Sequence, residues 1–273
     1  MRRFSDQHAV VSASHTFVSS KENQDLIVGR NAVEVALSAA AGPGGLVAAP
    51  VKLLLTKSSA SDGRVQSARD LAQRQGLVIN EVDDAYLDKL TGGATHQGCV
   101  LVTRPYAYAP VQALLESPGD DEILVGLDGV TDPQNLGAIA RSANAFGARG
   151  LVIPERRSAQ VGATSWKASA GAFATLPVAR VVNMSRTIEQ ANDLGWQSIG
   201  LALEAEWSIE KVANHWRGSP IFLLAGSEGD GLSRLVREKC VQLARIPHRD
   251  QVASLNVSVS VAIALYAIAN RLD

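Results

Sequence analysis

Only two cysteines occur in 273 residues, Cys99 and Cys240, and neither belongs to a Cys-x-x-Cys pair. That excludes a disulfide-stapled scaffold and leaves two buried, reduced thiols of a cytosolic-type protein as the expectation. Charge is scarce as well. Asp, Glu, Lys and Arg make up 19% of the chain, below the usual quarter, and the formal net charge is −1. Residues 1–105 carry 11 Lys/Arg against 10 Asp/Glu, and the remainder 15 against 17. Neither part is basic as a whole, so any contact with a polyanion must be a local patch. The longest strongly apolar run, residues 257–269, is interrupted by Ser258 and Ser260 and is too short to span a bilayer. Arg2 and Arg3 are followed by no apolar core, which argues against a secretory signal, and Asp6 argues against a transit peptide. A cytoplasmic protein without a membrane partner is expected.

Several common chemistries are missing too. No cluster of His, Cys, Asp and Glu has metal-ligand spacing; His248 and Asp250, two apart on a loop, read as solvated, and no metal is expected. There is no Gly-Lys-Ser/Thr phosphate loop and no Gly-x-Ser-x-Gly elbow. An early Gly-x-Gly-x-x-Gly is lacking, which counts against a nicotinamide-dependent dehydrogenase built on the same kind of sheet.

What is present is a 46% apolar chain with two α/β rhythms. Residues 1–25 are polar and Ser-rich and read as a flexible tail. From Leu26 to Arg104 a compact α/β unit is expected. Helices are read at Asn31–Ala40, Arg64–Gln75 and Ala85–Leu90, strands at Val51–Thr56, Leu77–Val82 and Gly98–Thr103, and a Gly/Pro loop at 42–45. Pro105, Pro110 and Pro118 mark a linker over 105–121 with a short helix near Val111–Glu116. From 122 to 273 the order becomes strand, loop, helix. Strands are read at Ile123–Leu127, Gly150–Ile153, Ser198–Leu203, Ile221–Ala225 and Val241–Ile246. Helices are read at Leu136–Phe146, Trp166–Ala172, Thr187–Leu194 and Leu232–Lys239, and a final one runs to Asn270. Such alternation predicts a largely parallel sheet covered by helices, with ligands beyond the carboxyl ends of the strands.

Three loops at those ends concentrate polar residues. Asp128–Asn135 (DGVTDPQN) leads into a helix carrying Arg141; Asp132 and Asn135 suit turn and cap positions, and Arg141 suits a solvated helix charge. A partly buried guanidinium among Ile139, Ala140 and Ala143 would instead need an anion. Gly226–Gly231 (GSEGDG) holds three glycines that let backbone approach a ligand, with Glu228 among them. Residues 246–257 pass through Ser254 and Asn256 into the last helix. Ser254 alone is explained as a helix cap, whereas Asn256 is not. A ligand pocket explains both.

Together the stretches DGVTDPQNLGAIARSANAFGARGLVIP, LLAGSEGDGLSRL and IPHRDQVASLNVSVS resemble the three motifs of the SpoU (TrmH) RNA 2′-O-ribose methyltransferases. Outside them, VGRNAVEVAL, GGATHQG and RRSAQVGATSWKASAGA are similar to the branch that methylates a guanosine in the P loop of large-subunit ribosomal RNA. The resemblance covers roughly residues 26–271. It implies a trefoil-knotted SPOUT methyltransferase domain, preceded by a small L30e-like RNA-binding domain, that binds S-adenosylmethionine and works as a homodimer. By motif match it puts Asn135, Arg141, Glu228, Ser254 and Asn256 at catalytic positions and Gly226, Ile246 and Leu255 at cofactor contacts. Arg30, Asn31, His96 and Gln97 are expected to hold RNA. One departure is that the family usually carries Met after the Ile-Pro, where this chain has His248, Arg249 and Asp250. A tRNA substrate, or an RNA-binding protein without catalysis on the same fold, is the alternative. The last helix is apolar at Val257, Val259, Val261, Ile263, Leu265, Ala267 and Ile268. It therefore needs cover on all sides, which a second subunit would supply.

Overall fold

A computed structural model describes residues 24–40, 49–249 and 254–270. Most of the expected tail, the loop at 42–45 and Asp250 lie outside the described residues. Asp25, expected within the tail, opens the first strand instead, and its carboxylate accepts the Tyr106 N–H at 2.8 Å.

The N-terminal part forms a four-stranded sheet of β1 (Asp25–Val28), β2 (Pro50–Thr56), β3 (Val78–Val82) and β4 (Cys99–Thr103), in the order β1-β4-β2-β3. Pairing is antiparallel across β4 and parallel between β2 and β3. Helices α1 (Arg30–Ala40), α2 (Gly63–Arg74) and α3 (Asp84–Thr91) accompany it. Asp62 caps α2 and Asp83 caps α3 by accepting first-turn N–H groups.

The segment expected as a linker is packed into the body. Tyr106 is buried edge-on against Tyr108, Trp166 and Phe173. Leu114 and Leu115 of α4 (Val111–Leu115) are buried, and the Arg149 guanidinium ties the end of α4 to Glu122. Buried apolar residues thus run without a break from Ile27 and Val33 through Tyr106 to Val125 and Leu127.

The second sheet has seven strands, all parallel: β5 (Ile123–Asp128), β6 (Gly150–Pro154), β7 (Val178–Val181), β8 (Gln197–Leu201), β9 (Trp207–Ser208), β10 (Ile221–Gly226) and β11 (Gln242–Arg245). Their order is β7-β6-β5-β10-β8-β11-β9. Strand β10 is buried at every position, as expected for a central parallel strand with both faces covered. The connecting helices are α5 (Pro133–Ala145), α6 (Ala163–Ala168), α7 (Met184–Asp193), α8 (Ile209–His215), α9 (Arg234–Lys239) and α10 (Val257–Ala269).

Some sequence expectations are corrected. Helix α5 starts at Pro133, with Asp132 as its cap accepting the Gln134 N–H at 2.8 Å, so Asn135 lies inside the first turn rather than at the boundary. The helix expected over 166–172 breaks after Ala168, where Gly171 takes φ +93°. Strands β7 and β9 and helix α8 were absent from the sequence reading; they are short, and local pattern carries little signal over so few residues.

Candidate active site

The three polar loops converge at the carboxyl ends of β5, β10 and β11. Strand β10 lies between β5 and β8, and β11 lies on the far side of β8. Beyond β10 the chain closes on itself: Ser227 and Gly231 exchange two backbone hydrogen bonds of 3.1 Å each. A Cβ on Gly226 would lie 2.0 Å from the Gly231 carbonyl carbon. The bare Cα of Gly226 therefore makes room for the loop's own backbone. The closed loop projects Glu228 outward.

Glu228 is where the motifs meet. Its Oε1 accepts from Asn135 Nδ2 at 2.9 Å and from Asn256 Nδ2 at 2.6 Å, and Asn256 Nδ2 also lies 3.1 Å from Asn135 Oδ1. Asn256 has a second task, since its Oδ1 accepts the N–H groups of Ser258 and Val259 and so caps α10. The cap of the last helix is Asn256 and not Ser254, which corrects the simpler expectation. Asp128, at the end of β5, accepts the Ser233 N–H at 2.7 Å and fixes the start of α9 to the same cluster.

Behind Glu228 lies a cleft of about 510 Å³, within the range of small-molecule sites. Gly226, Glu228, Ile246, Ser254, Leu255 and Asn256 line it, so six of the eight expected catalytic and cofactor residues share one cavity. Asn135 touches the cavity only through its hydrogen bonds to Glu228 and Asn256. The cleft also includes the loop after β8, Leu201–Glu204, and Arg237 of α9, which sequence reasoning missed. The rule that ligands bind beyond parallel strand ends points to the β8 loop once β8 is known to neighbour β10. Glu204 pairs with Arg237 on the cleft wall. Hydrogen bonds from its own backbone N–H and from Arg237 hold its carboxyl below the ordinary glutamate range. His248, at the family departure, lines the cleft, with Nδ1 2.9 Å from the Ile246 carbonyl oxygen.

Arg141 is elsewhere. It is exposed on α5, the solvated of the two readings open from sequence, and no hydrogen bond or ion pair holds it among the described residues. Its helix neighbours Ala138 and Ser142 form one wall of an apolar groove whose other wall is Val259, Ile263 and Tyr266 of α10. Within one chain the helix is covered on one side: Val257, Val261, Ala264, Leu265 and Ile268 are buried in the body, while Val259, Ile263 and Tyr266 are 46%, 37% and 60% exposed.

The residues expected to hold RNA gather at one end of the first sheet, after β1 and before β4. Arg30 pairs with Asp62, and Arg64 Nη1 donates to Asn31 Oδ1 at 3.1 Å. Gln97 is exposed with its Oε1 over Gly29, whereas the His96 ring is buried and hydrogen-bonded on both nitrogens. Both thiols stay unpaired as expected, and burial pushes Cys99 and Cys240 up to about 12. Among the described residues no group of three metal-ligating side chains converges, and no helix is long and apolar enough to cross a membrane.

A parallel sheet bearing a cleft closed by these three loops, next to a small α/β unit, defines a class. Residues 122–266 match the model of the SpoU rRNA Methylase family, and residues 26–109 match that of the RNA 2′-O ribose methyltransferase substrate-binding domain. The chain belongs to the SpoU family of RNA methyltransferases. A protein of Mycobacterium sp. (strain KMS), named an uncharacterized tRNA/rRNA methyltransferase, is 40% identical over 253 residues, covering 92% of this chain and 77% of its own length. A protein from Mycobacterium leprae with a similar name is 39% identical over 262 residues, covering 95% and 82%. Among solved structures, the AdoMet-bound rRNA methyltransferase from Sinorhizobium meliloti matches with a TM-score of 0.73 at 25% identity, over 91% of this chain and 87% of that one. The SpoU methyltransferase AviRb from Streptomyces viridochromogenes, in complex with AdoMet, shares the fold with a TM-score of 0.75 at 23% identity, over 91% and 90%.

Proposed function

We propose that the protein transfers a methyl group from S-adenosylmethionine to the ribose 2′-hydroxyl of a guanosine in large-subunit (23S-type) ribosomal RNA, in its P loop. The observation that carries the reading is the Asn135–Glu228–Asn256 network, which joins all three motif loops at the mouth of one cleft.

The cleft suits the cofactor. Its walls offer Leu201, Ala225, Ala244, Ile246 and Leu255 to an adenosine, and the carboxylates of Glu204, Glu228 and Asp230 to a cation. When bound, S-adenosylmethionine supplies an electrophilic methyl carbon on a sulfonium. The chain's own residues then have two tasks. The amide-held Glu228 and its neighbours fix the geometry in which the 2′-oxygen faces that carbon, and positioning of this kind accounts for much of the barrier lowering. Arg141 lies outside its own chain's cleft, so in this reading it reaches the 2′-oxygen only in the dimer, at the second copy's cleft. There it lowers the cost of alkoxide character and grips the adjoining phosphate by its fork of N–H groups. The hydroxyl proton leaves to phosphate or solvent, because a guanidinium does not readily act as base.

The working unit in this reading is a homodimer whose second copy covers Val259, Ile263 and Tyr266. Arg141 directly precedes Ser142 of that groove's α5 wall, so cover by a partner would desolvate a guanidinium that is exposed in one chain. Residues 26–104 serve as the L30e-like RNA-holding domain, with Arg30, Asn31 and Gln97 on its face and 105–121 as the connection. In this reading the methyltransferase domain, 122–273, is the trefoil-knotted SPOUT domain, consistent with the Asn256–Glu228 bond that ties the start of α10 to the loop after β10.

Mapping 2′-O-methyl groups in RNA from cells lacking the protein tests the target. Loss of one guanosine mark in the P loop is the expected result. Loss of a mark in tRNA instead would move the substrate to that class, and loss of none would leave an RNA-binding protein.

A further inference from the structure

His96 lies in the stretch that resembles an RNA-holding motif, yet its geometry turns it inward. The residue is 8% exposed. The Gly98 N–H donates to its Nδ1 at 3.0 Å, so Nδ1 carries no proton. Nε2 is then the protonated nitrogen, and it donates to Asp88 Oδ1 at 3.1 Å. One tautomer satisfies both bonds, and no ring nitrogen remains for a ligand.

What those bonds hold is the turn His96–Cys99. The Cys99 N–H returns to the His96 carbonyl at 3.0 Å, and Gln97 and Gly98 take φ of +52° and +71°. A left-handed Gln is uncommon and persists only where its surroundings fix it. Here Gly98 is fixed on several sides. Its N–H goes to His96, its carbonyl accepts from the Thr56 N–H and the Ser59 hydroxyl, and a Cβ on it would lie 2.5 Å from Ser59 and Thr56 side chains. The result of that clamping is the position of Gln97. Its side chain is exposed and lies over Gly29, directly before Arg30 and Asn31.

We propose that His96 is a positioning residue for RNA: the buried imidazole locks Gln97 in the left-handed conformation from which its amide, over Gly29, meets the substrate. This rests on the reading above that the Arg30–Asn31–Gln97 face holds RNA.

The test uses the full chain, a transcript of large-subunit ribosomal RNA and S-adenosylmethionine. Gln97→Ala should raise KM for the RNA about tenfold with kcat and cofactor affinity unchanged. His96→Phe, which keeps bulk and removes both hydrogen bonds, should give the same KM rise. The double variant should be no worse than either single, because the two residues act as one unit. His96→Asn, whose Oδ1 replaces Nδ1 as acceptor for Gly98, should restore most of the affinity. If Gln97→Ala and Asn31→Ala leave KM unchanged, the reading of this face fails, and the proposal with it. If Gln97→Ala raises KM but His96→Phe does not, or if their effects multiply, the face stands and the positioning role falls. Nitrogen-15 NMR of the unmodified protein gives a check that needs no variant to fold. His96 should show the Nε2–H tautomer, with ring shifts unmoved by saturating RNA; a ring that moves on RNA addition is a direct contact and overturns the proposal.

Discussion

At the scale of single residues, Asn256 is the position where stability and the proposed chemistry are most tightly joined. Its oxygen caps α10 and its nitrogen holds Glu228. Asn256→Ala should lower stability by about 1 kcal/mol, the usual value of a lost cap, and also lower turnover. Asn256→Asp separates the two tasks. The aspartate keeps the cap but sets a carboxylate against Glu228, so stability should hold while turnover falls at neutral pH. Turnover should recover partly on acidification, since like charge raises carboxyl pKa values and a shared proton restores the contact. Turnover that is unchanged across pH would detach the network from the chemistry. Arg141→Ala should cost roughly 10²-fold in turnover, the scale of one lost preorganised donor, with cofactor affinity unchanged. Arg141→Lys should rescue little, because an ammonium lacks the fork. Since Arg141 is exposed, a melting temperature equal to the parent's is also expected; a folded Arg141→Ala protein with full turnover would remove it from the mechanism. The roles of Ser254 and Asn256 were only half legible in sequence, because a small polar residue before an apolar helix serves a cap and a ligand site equally well.

Among the elements, α10 carries the proposed dimer interface. Its apolar residues are conspicuous in sequence, but periodicity could not say which are covered by this chain and which are left exposed. The body takes Val257, Val261, Ala264, Leu265 and Ile268 and leaves Val259, Ile263 and Tyr266 at i, i+4 and i+7. Val259→Asp, which puts a charge on that stripe without touching the body's core, should give a folded monomer by light scattering. If the variant remains a dimer, the groove between α5 and α10 is not the interface. The loop after β10 carries a different constraint. Gly226→Ala would push a methyl into the Gly231 backbone and should unfold or displace the loop, with loss of cofactor binding. Its three glycines were visible in sequence, but their reason was not, since the contact joins residues five apart through a closure that only the folded loop displays.

For the molecule as a whole, the joint between the two sheets matters more than the proline-rich boundary suggested. Tyr106 and the Trp166–Phe173 pair make the core continuous, and a Cβ on Gly171 would lie 2.4 Å from Val35 of α1. Gly171→Ala combines that clash with a φ of +93° and should cost about 2 kcal/mol or more. Because the contact joins α1, whose first residues belong to the face proposed to hold RNA, to the second part of the chain, KM for RNA should rise while cofactor affinity is retained; an unchanged KM would show that the two parts need no fixed spacing. Alkaline stability follows from the thiols. Folding raises Cys99 and Cys240 from near 9 to about 12, so stability is flat below the unfolded value and falls as pH rises from there toward 12. Thiol reagents at pH 8 should leave both unmodified in the native state.

The sequence by itself determined the alternation of strands and helices, the parallel sheet and the three loops at its carboxyl end. These rest on interactions within a few residues, namely apolar period, cap chemistry and turn residues. Tertiary structure alone decided the rest. Asn135 and Asn256 are 121 positions apart and meet at Glu228, 28 positions from one of them and 93 from the other. It also turned His96 inward, left Arg141 outside and brought the β8 loop into the cleft. Which loop faces which depends on the order in which strands pair, and that order is set by packing across the whole sheet, which no window of sequence contains.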